Sequence, residues 1–315
     1  MREKVYPPKI SGMDMLKITA GIVVGSLVGY AAQKYLLDLL VDVQGEKINA
    51  VASERIESSL INLTSENYRE RIMETPRSIL PSLVKIDISD TETGGGTASG
   101  LVLESIINKD NHVLITVLTA EHIDDNVTQN SQFMLNGIAD GTPIMADSHI
   151  LIPYDNLNYN DSNHRDLAIL VLDLGKVDNG ALKKTFGFEQ FLLSGSKIEA
   201  VNYVSMNQDN MRSIGFVSTV FSGQEVIMPY ITDEITFEDS RKHVNMVISK
   251  NVLGDHGMSG GPVFDIDGNV EAVVTGLNAS LLDLISLHPQ PHGSVYTLIP
   301  PDFDIWYKNI VDGLR

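Results

Sequence analysis

Residues 254–262 read Gly254-Asp255-His256-Gly257-Met258-Ser259-Gly260-Gly261-Pro262, a serine set among glycines and followed at once by the apolar pair Val263-Phe264. Glycine enters left-handed backbone at no steric cost, so the stretch predicts a tight turn feeding a short strand. A serine on such a turn is presented as an acyl-transfer nucleophile must be. Gly257 can take a conformation that aims backbone N–H groups at one point, and Gly260 and Gly261 leave room for a substrate chain. The plainer reading is a glycine turn between two strands.

Two segments upstream offer what a serine nucleophile needs. Val117-Leu118-Thr119-Ala120-Glu121-His122 puts a histidine just past the end of an apolar strand. Taken alone, His122 is a solvated or locally satisfied histidine as readily as a base. His164-Arg165-Asp166 runs directly into Leu167-Ala168-Ile169-Leu170-Val171-Leu172, a strand apolar on both faces. A carboxylate at the edge of such a strand requires a hydrogen-bond partner. An imidazole is a natural one, since the carboxylate fixes its tautomer and stabilises the imidazolium formed when a serine gives up its proton. A turn or capping aspartate is the alternative, and Asp161, which no apolar strand follows directly, is the rival carboxylate.

Around these segments the chain reads as short β-rich runs between turn clusters, at 83–88, 97–103, 112–118, 143–152, 167–172, 197–204, 214–221, 244–249, 262–264, 270–277 and 295–299. So many short strands across one region predict an all-β unit built as barrels or sandwiches. An amphipathic helix, Asp302 to Leu314, closes the chain. Asp265-Ile266-Asp267-Gly268 has the look of a calcium loop but lacks the remaining ligands and fits a hairpin turn.

The 315 residues carry 41 acidic and 23 basic side chains, a formal charge of −18, and no cysteine. Disulfides, thiolate metal sites and cysteine nucleophiles are excluded, and no metal or other cofactor is read from the sequence. Nucleic acid is an improbable partner, because a phosphate-neutralising surface needs clustered Lys and Arg. The charge is uneven. Met1 to Lys34 holds Arg2, Lys4, Lys9, Lys17 and Lys34 against Glu3 and Asp14, a net +3 that leaves −21 for the remainder.

Within that leader, Ile18 to Gln33 is a run of 16 residues without formal charge. It is close to the minimum for a membrane-spanning helix, and Lys17 and Lys34 could snorkel. Gly21, Gly25 and Gly29 recur every fourth residue, one small face for helix–helix packing and self-association. Three readings stand: an uncleaved single-pass anchor, a signal peptide cut after the small pair Gly29 and Ala31 that would release a secreted protein, and a buried soluble helix. The basic flank favours a cytoplasmic N-terminus, with the bulk of the chain on the other side of the membrane. Ile48, Ala52, Ile56 and Leu60 then recur every fourth residue, predicting a helical stalk closed by Pro76 and Pro81. The division is therefore 1–35, basic N-terminus and anchor or signal peptide; 36–80, stalk; 81–185, first β unit; 186–315, second β unit with the closing helix.

Taken jointly, His122, Asp166 and Ser259 stand in the chain order of the chymotrypsin-like serine peptidases, which this sequence resembles. It is most similar to the cysteine-free high-temperature-requirement (Deg) type, without a PDZ domain. The matches are T-A-x-H at Thr119 to His122, D-L-A-x-L at Asp166 to Leu170 and G-x-S-G-G-P at Gly257 to Pro262. The small-residue stretch Gly94 to Gly100 and the segment Ser213-Ile214-Gly215-Phe216-Val217-Ser218 extend the resemblance over residues from about 80 to 305. It implies two packed six-stranded antiparallel β-barrels, the first carrying His122 and Asp166 and the second Ser259. It also implies a serine endopeptidase acting on polypeptides. His122 would be base and then acid, Asp166 its orienter and Ser259 the nucleophile, with the N–H groups of Gly257 and Ser259 as the oxyanion hole. Leu253 would floor the substrate pocket, with Thr275 and Gly276 in its wall, and small or medium apolar residues would precede the cut.

Two positions depart from the pattern. Met258 stands where trypsin-type members carry an acidic residue, so no ion-pair zymogen switch is expected. Glu121, beside the base, is expected to point into solvent. Two other functions stay open: a catalytically silent barrel serving as a binding module, and a dedicated protease that processes its own stalk or an assembly partner.

Overall fold

The computed structural model describes residues 82–89, 96–126, 132–137, 144–154, 165–176, 210–221, 224–237, 245–254, 256–278 and 291–315, with isolated positions between 47 and 79. Thirteen strands and one α-helix lie in this set. The first sheet holds β1 (Leu83–Ser89), β2 (Gly96–Ile107), β3 (His112–Thr119), β4 (Gln132–Gly137), β5 (Ile144–Met145), β6 (Ser148–Pro153) and β7 (Ala168–Lys176). Its order is β5-β4-β1-β2-β3-β7-β6. The second holds β8 (Arg212–Phe221), β9 (Gln224–Ile231), β10 (Met246–Ile248), β11 (Pro262–Phe264), β12 (Val270–Asn278) and β13 (Gly293–Leu298), ordered β10-β13-β12-β11-β8-β9. Every pairing is antiparallel.

These ladders correct the expected pair of closed six-stranded barrels. The first has seven strands, and neither closes on itself by hydrogen bonds among the described residues. The reason lies in the end strands. β5 is two residues long and β10 three, while β6 ends on Pro153 and β9 contains Pro229, which has no N–H to extend a ladder. The first sheet is nonetheless strongly curled. β5 and β6 occupy its opposite ends, yet only Ala146 and Asp147 separate them, so the chain itself draws the two ends together.

The apolar residues divide into three cores by strand alternation. Along β3, Val113, Ile115 and Val117 face the interior of the first sheet with Val84, Ile86, Leu170 and Leu172, whereas Leu114 and Leu118 face the other way. Residues i and i+2 share a face, so a strand buried on both sides reads as one continuous hydrophobic run. The second sheet encloses Val217, Leu253, Met258, Val274, Tyr296 and Leu298. Between the sheets lies a shared core of Leu101, Leu118, Ile169, Ile214, Phe216 and Phe264.

The closing helix α1 (Phe303–Leu314) caps that shared core through Phe303, Trp306 and Val311. The i, i+3, i+8 spacing keeps all three on one stripe. Full burial of each such side chain stabilises by about 1.5–3 kcal/mol, an upper figure because the unfolded chain is itself partly collapsed. Polar contacts fix the helix against the first sheet. The hydroxyls of Tyr307 and Thr116 are 2.7 Å apart, and Arg315 Nη2 donates to Glu104 Oε1 at 2.8 Å. The Tyr154 hydroxyl donates to Asp302 just before the helix.

Among the described residues no helix is long and apolar enough to cross a membrane. The leader with Gly21, Gly25 and Gly29 lies outside the described residues. So do the strand expected at 197–204, Asp161 and most of the stalk; within the stalk, residues 47, 50, 51, 54, 55 and 70 are helical.

Burial raises the ionisation of Tyr154, Tyr296 and Tyr307 above the ordinary phenol value of about 10, with the Asp302 carboxylate adding to the rise at Tyr154. The unfolded chain therefore releases these protons first. The stability they contribute is fully present below pH ~10 and is lost as pH climbs above it. Phenolate absorbance during alkaline titration should show these tyrosines ionising only together with loss of the folded circular dichroism signal. Titration of all ten tyrosines before any unfolding would contradict this.

Candidate active site

The antiparallel pairing of β3 with β7 sets Thr119 opposite Ala168. Residues just past the end of β3 and just before β7 must therefore share one end of the sheet. A short 3-10 helix, Glu121–Asn126, leaves β3 and carries His122, while Asp166 sits at the entry to β7. The Asp166 carboxylate uses both oxygens on this one residue: Oδ1 accepts the His122 backbone N–H at 2.9 Å and Oδ2 lies 2.7 Å from His122 Nδ1. An ionised carboxylate only accepts, so the imidazole proton belongs on Nδ1 and Nε2 is left as an acceptor. His122 Nε2 faces Ser259 Oγ at 3.0 Å.

The chain entering Asp166 is held separately. Arg165 is buried, donates from Nη1 to the carbonyl of Leu298 at 2.8 Å and lies 5.9 Å from the centre of the Tyr154 ring. A residue adjacent to Asp166 thus bonds the last strand of the second sheet. A second His–Asp pair, His112 Nδ1 with Asp173 at 2.8 Å, occupies the opposite end of the same two strands, and no hydroxyl is bonded to it among the described residues.

Ser259 reaches His122 because its turn packs directly on β3 and β2. At Gly260, φ is +83° and an added Cβ would stand 2.0 Å from Thr119 Oγ1 and 2.3 Å from the carbonyl oxygen of Ser99. At Gly257, φ is +92° and a Cβ would stand 2.5 Å from the Phe216 carbonyl oxygen. Both positions exclude any other residue on conformation and on space.

The carbonyls of this turn are all engaged. Gly257 O accepts from Ser99 Oγ at 2.6 Å, Met258 O from Gly261 N–H at 2.8 Å and Ser259 O from Ser99 N–H at 2.8 Å. Among the described residues no acceptor is bonded to the N–H groups of Gly257, Met258 or Ser259. Consecutive N–H groups without acceptors, on a turn whose carbonyls face away, can receive a developing oxyanion. The Met258 side chain is fully buried in the second core.

A cavity of about 80 Å3 adjoins Ser259, lined by Gly254, His256, Ser259, Val274, Gly276 and Leu277. Gly276 belongs to that lining. Leu253 packs into the second core instead, and the Thr275 hydroxyl donates to the Val295 carbonyl at 3.2 Å. The cavity wall before Ser259 is shaped by a residue the sequence did not flag: Ser294 Oγ accepts the N–H groups of Leu253 and Gly254 at 2.8 and 2.9 Å. A buried serine in a strand gives no local signal of a partner forty residues away. Glu121 also differs from expectation. One of its carboxylate oxygens is buried rather than directed into solvent.

A larger cavity of about 320 Å3, lined by Thr75, Pro76, Asn210, Arg212, Phe264, Asp265 and Ile266, contains none of His122, Asp166 or Ser259. Among the described residues no group of three or more His, Asp or Glu could hold a metal ion. Asp265 uses its carboxylate on its own hairpin, accepting the N–H groups of Asp267 and Asn269 at 2.9 and 2.8 Å.

No protein-family model matches the chain, and no curated protein does. Solved structures of serine proteases do. The chain is similar to a thermostable serine protease from an extremophilic microorganism, at 16% identity over 74% of this chain and 98% of that one, with a TM-score of 0.44. It is similar to a serine endoprotease from Yersinia pestis at 16% identity, over 76% of this chain and 65% of that one, with a TM-score of 0.40. It is also similar to an inactivated protease paralogue of the scabies mite, at 13% identity over 76% and 98% of the two chains, with a TM-score of 0.44. At such identities none of these likenesses assigns a role to a residue here.

The contacts at the turn make a stability prediction. Gly260→Ala should cost more than about 3 kcal/mol, since it adds overlap to an unfavourable φ. Gly276→Ala, whose Cβ would meet nothing within 4 Å, should stay within about 1 kcal/mol of the parent. Urea unfolding of the two variants checks both, and equal midpoints would refute the packing argument.

Proposed function

We propose that the protein is a serine endopeptidase in which Asp166, His122 and Ser259 form the catalytic triad and the N–H groups of Gly257 and Ser259 the oxyanion hole. The observation that carries this reading is the hydrogen-bonded line from Asp166 through His122 to Ser259, at 2.7 and 3.0 Å, beside a turn whose N–H groups meet no acceptor among the described residues.

Each step follows from those contacts. Ser259 Oγ attacks the scissile carbonyl carbon as its proton passes to His122 Nε2. The resulting imidazolium keeps its Nδ1–H on Asp166, whose negative charge stabilises it. The carbonyl oxygen becomes an oxyanion facing the N–H groups of the turn, each such donor contributing roughly 3–4 kcal/mol in comparable sites. His122 then protonates the leaving amine. The acyl-enzyme is cleared by a water that surrenders its proton to the same nitrogen.

The 80 Å3 cavity supports a preference for a small apolar side chain before the cut. Among the described residues that line it, Gly254, His256, Ser259, Val274, Gly276 and Leu277 include no carboxylate to meet a buried Lys or Arg. We further place the peptidase on the non-cytoplasmic face of a membrane, tethered and self-associated through its basic, glycine-spaced leader and stalk. Support comes from the leader's +3 charge against −21 for the remainder.

A fluorophosphonate, whose fluoride is displaced by Ser259 Oγ, should label the wild type and leave Ser259→Ala unlabelled. Asp166→Asn should lower kcat by roughly 10^4-fold, the size expected when the imidazole tautomer is lost. A folded wild type that refuses the probe and cleaves no peptide would make the protein a binding module. In a peptide mixture, cleavage after Ala or Val should exceed cleavage after Lys or Phe by more than about tenfold. Cleavage mainly after basic residues would refute the cavity assignment.

A further inference from the structure

We propose that Ser99, in β2 of the first sheet, is the positioning residue of the oxyanion hole; the inference rests on the peptidase reading and extends it to a residue outside the triad. Ser99 is fully buried. It makes four hydrogen bonds to three separate segments. Its Oγ meets Gly257 O at 2.6 Å and Phe216 N at 2.8 Å. Its N–H donates to Ser259 O at 2.8 Å, and its carbonyl accepts from Thr119 Oγ1 at 2.9 Å.

The direction of the hydroxyl bond is settled by its neighbours. A backbone N–H can only donate, so Ser99 Oγ accepts from Phe216, and its single proton is committed to the Gly257 carbonyl. The hydroxyl cannot turn away, because β8 backs it: a Cβ on Gly215 would lie 2.9 Å from Ser99 Oγ.

The consequence is read peptide plane by peptide plane. In a trans peptide the N–H points opposite the preceding C=O. The plane 257–258 is pinned by the Ser99 hydroxyl, 258–259 by Gly261 N–H, and 259–260 by Ser99 N–H together with the bond from Gly260 N–H to Val274 O at 2.8 Å. Ser99 therefore holds the planes on both sides of the one that carries the Ser259 N–H. The plane 257–258 flanks a glycine at φ +92°, the residue type with the least resistance to rotation. Without the Ser99 hydroxyl, the buried Gly257 carbonyl would have no partner and the plane would turn to find one. The donors at Gly257 and Ser259 would then cease to converge on one point.

The test is Ser99→Ala in the full chain, read on the transition state and the ground state separately. We expect kcat to fall by at least about tenfold with KM within about twofold, the pattern of an interaction realised in the transition state. Fluorophosphonate labelling should slow in step. Affinity of an uncleaved peptide for Ser259→Ala should be unchanged when Ser99→Ala is added. Ser213→Ala removes a buried hydroxyl of β8 instead, one that meets Thr232 Oγ1 at 3.5 Å, and should leave kcat unaltered. If Ser99→Ala does not fold, Ser99→Cys, which keeps the packing with a much weaker donor, should show the same fall in kcat. A reactive wild type matched in kcat by the folded variant overturns this inference alone. A rise in KM at constant kcat also overturns it and makes Ser99 a substrate-binding residue. A wild type without hydrolysis or labelling overturns the peptidase reading and this inference with it.

Discussion

The close approach of Gly260 to the end of β3 is the constraint on which the site depends. At that point the backbone of the second sheet lies against Thr119 and Ser99 with no room for a Cβ. His122 is three residues beyond Thr119, and Ser259 is next to Gly260, so one contact brings the imidazole and the hydroxyl together. The placing of a carboxylate behind His122 is met by the Thr119–Ala168 register of β3 and β7. A shift of that register by one residue would turn every side chain of β7 to the other face and carry Asp166 away from Nδ1. The geometry is therefore a property of one strand pairing and one glycine contact, with little left to the loops.

Docking of the sheets has apolar and polar parts, and they act at different places. The shared core and the α1 stripe supply the non-directional term, which fixes that the sheets meet. The polar contacts fix how. Arg165 joins the entry to Asp166 to Leu298 of β13, Ser99 joins β2 to the Ser259 turn, and Tyr154 joins the segment after β6 to the approach to α1. All are buried or half-buried, where an unmet polar group costs about 1–3 kcal/mol, so a misaligned interface is penalised at several points at once. In this arrangement α1 is more than a terminal cap. It covers the face of β3 and β7 turned away from the first core, on the strands that lead to His122 and Asp166.

Much of this was legible in the chain. His122, Asp166 and Ser259 are each flagged by their neighbours, because a strand end or a glycine turn is written in consecutive residues. β11 was legible to its last residue, and β1, β3, β7 and β12 to within a few residues, since each is dense in apolar side chains, alternating with Lys85 and Asp87 in β1 and nearly continuous in β3 and β7. β9 was not, because Pro229 argues against a strand unless the strand lies at an edge, and edge position is a tertiary fact. The run read as one strand at 143–152 is two, β5 and β6, divided at Ala146 and Asp147 where the chain passes between opposite ends of the curled sheet. Closure of the sheets, too, depends on which strands end a ladder. Ser99 and Ser294 were silent for the same reason: a buried serine declares nothing until its partner, 158 residues away for Ser99 and Gly257, is brought beside it.

Met258 leaves the Ser259 turn to be ordered without a charge. A carboxylate at that position could draw the turn into place by an ion pair, sensitive to salt and to the arrival of a cationic partner. A thioether cannot, and here it is sealed in the second core among Val217, Leu253 and Val274. The ordering of the three carbonyls at 257–259 falls instead to neutral hydrogen bonds, two of them from β2. Those donors belong to the other sheet, so the turn is correctly arranged only when the sheets are docked. Docking of the two sheets and ordering of the Ser259 turn are then one event, driven by apolar burial.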